Sequence, residues 1–302
     1  MRHFLSLCLG MALLVPAAAQ SAEPAATEWT ESIQGDLPVV ITAPHGGRQK
    51  PEGWPERRDG IKRADAGTDR LAMLLAQQLR KRTDHSPYLV SCRVSRSRVD
   101  MNRNQKEAAY GFPAAEKAWQ HYHQSIAEHL QDAEQRFGRV LLIDIHGQGR
   151  NPGWFELGYR LKASDLKEIQ SSETGADITA LPKQSTLFAL GPDPQTLRSA
   201  LVGPHSLGKL MQDVGLNAVP SPASPTSAGR PYYSGGYTLL RHVGTANPSI
   251  IGIQLECPRV GYRDTAIHRE RLAKQLACVI DRYLKAWHVS RVESDLTGAT
   301  SG

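Results

Sequence analysis

The chain predicts an α/β architecture, a three-layer αβα sandwich around a mixed, largely parallel central sheet. Three observations carry that expectation. Short apolar or β-branched runs alternate with longer segments of helical periodicity along most of the 302 residues. The strongest runs, VLLIDI and SIIGIQL, are apolar at successive positions, as strands covered on both faces are. The intervening helical stripes are long enough to cross back over a sheet and cover its two faces.

A leader precedes the first strand. MRHFLSLCLGMALLVPAAAQSA has a basic Arg2, an apolar stretch from Phe4 to Val15, and small residues up to Ala19 and Ala22. This is the pattern of a secretory signal peptide over residues 1–22. At under ~18 apolar residues the stretch is short for a membrane span. The bulky Leu7 ahead of Cys8 argues against a lipoprotein cysteine. The mature protein is therefore expected to be exported, periplasmic or secreted, with no membrane attachment after cleavage. Residues 23–35 read as a linker, 36–288 as a single catalytic domain, and 289–302 as a disordered tail.

Roughly 280 residues then remain, enough for one large core. The excess of 36 basic over 30 acidic side chains is scattered in short clusters such as Arg57-Arg58 and Arg80-Lys81-Arg82. These read as solvated faces. No aromatic residues interleave them, so a nucleic-acid groove is excluded, while a basic balance favours an anionic substrate. Cys92, Cys257 and Cys278 form no C-x-x-C pair, which excludes a cysteine zinc site. One disulfide with one free thiol stays open, and Cys278 reads as a small buried residue of a helix. The oligomeric state is not set by any of these features.

The elements follow in order. Pro38 to Thr42 reads as a strand, followed by a Pro/Gly/Trp-rich loop to about Gly60. Thr68 or Asp69 is expected to cap DRLAMLLAQQLRKR, in which Leu71, Leu74, Leu75 and Leu79 share one helical face. Tyr88 to Val94 is a strand, and Ala114 to Phe137 is a helix stopped by Gly138. Val140 to Ile145 and Ser249 to Leu255 are strands, and AIHRERLAKQLACVIDRYLKAW is a closing helix. Between 162 and 231 the pattern loosens. VPSPASPTSAGRPYYSGGY cannot fill a sheet interior, and is expected to form a long ordered loop near the site.

Chemistry-bearing residues collect at the strand ends. PVVITAPHGG and VLLIDIHGQG each deliver a histidine, His45 and His146, followed at once by glycine. Ligands gather at such strand ends in α/β sheets, and Gly46, Gly47 and Gly147 are expected to let backbone approach a ligand. One strand-end histidine commonly bonds only a loop carbonyl; two of them, with Asp144 placed to accept a ring N–H of His146, point to a shared metal. Glu256 follows the SIIGIQL run, and Asp100, Asn102 and Arg103 follow the third strand. Asn102 and Arg103 could bind a substrate carboxylate or polarise a carbonyl, or be turn residues and a surface pair. Either Arg241 or His242, in RHVG, is expected to line the substrate pocket. His121, His123 and His129 share no i,i+4 spacing and read as surface histidines. GPHSLGKL lacks the Ser/Thr after its Lys and has Pro204 in the loop, so it is not a phosphate loop. No G-x-S-x-G is present, which weakens a serine-hydrolase reading.

Taken in order, APHGG, DAGTDRLA, SRSRVDMNR, DIHGQG, SGGYTLLRHVG and IQLECPRVGYR resemble the N-formylglutamate amidohydrolase family, relatives of zinc carboxypeptidases and aspartoacylases. The resemblance spans roughly residues 36–284. It implies a zinc-carboxypeptidase-like fold and one zinc per chain, bound by His45 and His146. Glu256 would be the general base, and Asn102 and Arg103 would hold the substrate and its scissile carbonyl. Carboxypeptidase relatives place an acidic ligand three residues after the first histidine, where this chain has Arg48. Asp65, in DAGTD, is the first choice for the third ligand, with Glu52, Glu56, Asp59 and Asp69 as alternatives.

Three protein ligands leave one zinc position for water, which a neighbouring carboxylate can deprotonate. The function expected is thus an exported zinc-dependent amidohydrolase. It would cleave an amide next to a carboxylate, in an N-acyl or N-formyl amino acid, a peptide or a γ-glutamyl substrate. The rival readings are a metallocarboxypeptidase and a non-catalytic periplasmic binding protein for a carboxylated ligand.

Overall fold

The computed structural model describes residues 28–172 and 176–289. The expected signal peptide and nearly all of the expected tail lie outside them. No helix among the described residues is long and apolar enough to cross a membrane.

In the first half the chain runs β1 (Thr30–Ile33), β2 (Val39–Ala43), α1 (Thr68–Thr83), β3 (Tyr88–Cys92), α2 (Gln105–Ala109), α3 (Pro113–Phe137) and β4 (Val140–Gln148). It continues with β5 (Trp154–Gly158), α4 (Ala163–Ser171), α5 (Leu181–Gln184), α6 (Pro194–Val202), α7 (Leu207–Asp213) and β6 (Asn217–Val219). Then come α8 (Tyr237–His242), β7 (Ile250–Pro258) and α9 (Ala266–Ala286). The strands form one seven-stranded sheet in the order β1-β3-β2-β4-β7-β5-β6. The central β3, β2, β4 and β7 are mutually parallel, and β1 and β5 join antiparallel. The sheet is therefore mixed and mostly parallel, with helices on both faces.

The period of two along each strand divides the core. Leu141, Ile143 and Ile145 of β4 pack with Leu71 and Leu75 of α1 and with Leu272, Leu276 and Ile280 of α9. Val140 and Leu142 pack on the other face with Ala118, Tyr122 and Ile126 of α3. Truncating a buried Ile143 to Ala should cost about 2–5 kcal/mol. Asp144 and His146 continue the Val140–Leu142 parity, and Gln254 and Glu256 continue that of Ile250. The polar residues of both strands therefore leave the sheet on the α3 side.

Several expectations are corrected. The supposed linker contains β1, which pairs with β3, Thr30 opposite Cys92. TESI is too short and too polar to announce an edge strand. Helix α1 begins after Gly67, held at φ 87°, without a side-chain cap; the Thr68 hydroxyl instead donates to the Asp65 carbonyl. Leu74 and Cys278 are only half-buried. The described part of segment 162–231 holds four short α-helices, two 3-10 turns (Ala176–Ile178 and Phe188–Leu190) and the edge strand β6, with an extended loop only from 220 onward. Each helix there buries a few side chains, such as Leu197, Ala200 and Leu201, too few to show periodicity. Ser206 of the GPHSLGKL segment caps α7 by accepting the Lys209 N–H.

Arg57 is not a solvated charge: it is buried and donates to the carbonyls of Ile61 and Arg96. His123 and His129 are buried on the inner face of α3, with His129 bonded to Ser32 of β1; only His121 is partly exposed. The three thiols of Cys92, Cys257 and Cys278 are free.

Candidate active site

Strands β4 and β7 run further than their apolar cores, to Gln148 and Pro258, so His146 and Glu256 sit inside the ladder and face each other in register. Their backbones are held by sheet hydrogen bonds, which confines the side chains. His45 lies two residues past β2, the neighbour of β4 on its other side. The 48–67 loop returns to the same point: Asp65 N–H donates to the His45 carbonyl, and the Asp65 carbonyl accepts from Thr68 at the start of α1.

Asp65 is thereby brought between the two histidines. Its Oδ2 is 3.3 Å from His45 Nδ1 and 3.4 Å from His146 Nδ1, and it accepts the Gly147 N–H at 3.1 Å. The three side chains are 1%, 9% and 2% exposed for His45, Asp65 and His146. They offer one ligand atom each within 4.8 Å of one another, close enough to share a metal ion. Glu52, Glu56 and Asp59 are exposed, Asp69 lies in the first turn of α1, and none of these four lines the cavity.

The far side of each ring is committed. His45 Nε2–H donates to Asp100 at 2.7 Å and His146 Nε2–H to Asp144 at 2.9 Å. Asp144 in turn accepts from Thr42 at 2.6 Å, and Asp100 receives Arg96 and Arg57. Two imidazoles with their Nε2 protons engaged turn their Nδ1 lone pairs toward a carboxylate, an arrangement that requires a cation between them, proton or metal. Nitrogen and carboxylate donors in this number fit zinc. The carboxylates behind the rings fix the tautomers as a metal site needs. The expected hydrogen bond between Asp144 and the His146 ring is thus present. Asp100 was noticed in sequence but not connected with His45, because no local pattern joins positions 55 apart.

The charges are mutually supporting. Burial opposes the Asp65 charge, but the hydrogen bonds from His146 and His45 outweigh it and hold the carboxyl well below its usual range. Burial likewise opposes the charge on His146, and the Asp144 carboxylate overcomes it, raising the imidazole well above its ordinary value. Glu256 behaves differently. Burial pushes it up to about 7, partly countered by His146 and reinforced by Asp65 and Glu156. It is 4% exposed, and Gln254 Nε2 donates to its Oε1 at 3.0 Å.

These groups open into a cavity of about 730 Å³ whose walls include Asn102, Arg103, Arg150, Tyr233 and Arg263. Arg103 is anchored through its guanidinium to the Asn102 carbonyl. Asn102 Oδ1 accepts the Thr238 N–H at the start of α8. Glu156, fully buried on β5 opposite Glu256, was missed in sequence; it ties the Tyr233 N–H and Asn151 to the cavity wall. Arg263 is structural, donating to the carbonyls of Cys257, Ala66 and Gln148.

Two further expectations are corrected. Arg241 and His242 are not among the cavity-lining residues. Arg241 is exposed over the Trp119 ring, and His242 is buried against His123, because α8 turns that face toward α3. Of the three glycines only Gly147 lines the cavity, and packing within the protein also demands glycine at each position. A Cβ at Gly46 would lie 2.4 Å from Asp69 N, one at Gly47 2.4 Å from the Arg93 carbonyl carbon, and one at Gly147 2.3 Å from Arg263 Cζ. Protein packing excludes side chains at all three.

The layered sheet, with its site at the carboxyl ends of β2, β4 and β7, is a three-layer α/β hydrolase-like fold. No protein-family model matches the chain, and a comparison with curated proteins finds no match. Among solved structures, the N-formylglutamate amidohydrolase from Ralstonia eutropha JMP134 is similar at a TM-score of 0.53 and 15% identity. The match covers 86% of this chain and 98% of that one. A gene product from Agrobacterium tumefaciens is similar at a TM-score of 0.53 and 12% identity, over 86% of this chain and 96% of its own. The chain thus has the fold of N-formylglutamate amidohydrolase.

Proposed function

We propose that the protein is a zinc-dependent amidohydrolase of the N-formylglutamate amidohydrolase kind, cleaving an amide bond beside a carboxylate. The observation that carries this reading is the convergence of His45, Asp65 and His146 next to Glu256, a buried carboxylate facing His146 on the neighbouring strand. A binding protein for a carboxylated ligand has no need of a buried base beside a metal centre.

His45, Asp65 and His146 would hold the zinc. When bound, zinc lowers the pKa of a water to about 7 and polarises a carbonyl oxygen. Glu256 accepts the water proton and returns it to the leaving nitrogen. Its Oε1 is engaged by Gln254, leaving Oε2 for that transfer. Arg103, in the cavity wall beside Asn102, carries donors for the substrate carboxylate and for negative charge developing on the scissile carbonyl. The leader pattern at the start of the sequence supports an exported enzyme, whose substrates would be N-acyl amino acids, peptides or γ-glutamyl compounds met outside the cytoplasm.

The test is amine release by the zinc-loaded protein across a panel of N-formyl and N-acyl amino acids and γ-glutamyl peptides, with elemental analysis of the same sample. About one zinc per chain and turnover of at least one amide that has a neighbouring carboxylate are expected. Ligand binding without turnover of any member would instead identify a binding protein.

A further inference from the structure

Two buried histidines take no part in the chemistry described above. His123 of α3 and His242 of α8 lie with ring centroids 5.3 Å apart and planes 23° from parallel. Trp119, Tyr122 and Tyr237 surround the His123 ring. His123 Nε2 is 3.0 Å from the Met101 carbonyl, which can only accept, so Nε2 carries the proton and Nδ1 is an acceptor. His242 Nε2, 3.0 Å from that Nδ1, is then the donor. The result is a directed chain, His242 N–H to His123, and His123 N–H to the Met101 carbonyl.

Met101 stands between Asp100, which holds His45, and Asn102 and Arg103, which line the cavity. The same short segment is gripped at two more points. Trp119 Nε1–H donates to the Arg103 carbonyl at 2.9 Å, and Thr238 N–H donates to Asn102 Oδ1 at 3.0 Å. Gly236 presses on the Asn102 amide so closely that a Cβ there would lie 2.2 Å from Nδ2. Helices α3 and α8 thus pin three successive residues from behind. Apolar side chains could fill the same space without the cost of burying two imidazoles. What the imidazoles add is a hydrogen bond to one backbone oxygen, with the tautomer set by a second ring.

We propose that His123 and His242 are a positioning pair that fixes Asn102 and Arg103 in the cavity and thereby sets substrate affinity, without contributing to metal binding. The proposal rests on the hydrolase reading above for the role of those two residues.

The test compares His123→Phe and His123→Gln. Phe keeps a ring of similar size without donor or acceptor, and Gln can still donate an amide N–H to the Met101 carbonyl. Binding of N-acetyl-L-glutamate is measured by calorimetry in a Glu256→Gln background, with metal content and KM and kcat determined in the otherwise native protein. His123→Phe should retain the metal and weaken binding about tenfold, the loss of one buried hydrogen bond. His123→Gln should recover most of it. In the native protein, ring 15N shifts should report the Nε2–H tautomer for both histidines. Trp119→Phe, which removes the donor to the Arg103 carbonyl, should raise KM in the same direction and carries the test if His123→Phe does not fold.

Equal affinity in the Phe and native-His123 proteins overturns the proposal, as does equal impairment of Phe and Gln accompanied by loss of metal. Native protein that binds this ligand but hydrolyses no amide overturns the hydrolase reading alone, since the affinity comparison still decides the positioning role. Absence of binding of N-acetyl-L-glutamate and of every member of the amide panel overturns both.

Discussion

Asp100 accepts the Nε2–H of His45 across 2.7 Å, although 55 positions separate the two residues. The carboxylate is buried and also faces Arg96 and Arg57, whose charges help hold it ionised against burial. It stands to His45 as Asp144 stands to His146. Each candidate ligand ring is therefore aimed from behind by an anion. Asp100→Asn is expected to weaken zinc binding about 10- to 100-fold while leaving every ligand in place. Competition with a chelator measures this, and an unchanged zinc affinity would remove Asp100 from the metal site.

The ligands themselves should behave more severely. The His45→Ala, His146→Ala double variant leaves only Asp65 of the three and should purify without zinc by elemental analysis. Full retention of metal in that protein would sink the assignment.

Glu256→Gln removes the proton acceptor but keeps the size of the side chain and leaves the three ligands untouched. It should hold about one zinc per chain and lose about 10²- to 10⁴-fold in kcat. Steady-state rates on the best amide of the panel decide it, and turnover at the native rate would exclude Glu256 as the base.

Gly47 is packed against the backbone of Arg93, so an added methyl has nowhere to go. Gly47→Ala is expected to destabilise the fold by about 1–3 kcal/mol, the usual cost of overpacking. Urea unfolding of the two proteins gives the difference. A variant as stable as the native chain would show that the loop yields freely.

The buried histidine pair gives stability an acid limb. Burial lowers His123 to about 3, with His242 adding to the effect, and burial lowers His242 to about 4. Both are below the unfolded value of about 6.5. Between these values the unfolded chain binds the extra protons. The stabilising contribution is therefore complete above about pH 6.5 and is lost as pH falls toward 4. Burial also lowers His129, which acts in the same sense. Glu256, raised to about 7 mainly by burial, opposes them in the metal-free protein. The native protein minus His123→Phe isolates the His123 share, since His242 still titrates in the variant. The stability difference between the two proteins should shrink by up to about 1.4 kcal/mol for each pH unit lost below 6.5. Denaturant melts at a series of pH values test this, and a difference independent of pH would contradict it.

Most of the scaffold could be read in advance because its strongest signals are local. The apolar runs of β4 and β7 and the stripes of α1, α3 and α9 each bury a face that their own periodicity reveals. Elements that bury little by themselves stayed hidden. TESI becomes a strand only because β3 offers it a partner, and α4 to α7 are stabilised by one another and by the sheet. The glycines after His45 and His146 were visible, but their reason was not, since the atoms they accommodate come from Asp69, Arg93 and Arg263.

The site divides in the same way. His45, His146 and Glu256 were legible because each ends or extends an apolar run, and the period of two along a strand settles which way such a residue points. Asp144 followed from sharing a face with His146. The grouping of Asp65 with both histidines, the pairing of Asp100 with His45 and the burial of His123 against His242 were decided by tertiary structure. These contacts join residues 20 to 119 positions apart. Their energy depends on distance and burial, and neither is encoded in local pattern. Local periodicity placed the strand-borne groups at one end of the sheet, and the folding of loops and helices around that end supplied the charges that set how those groups can act.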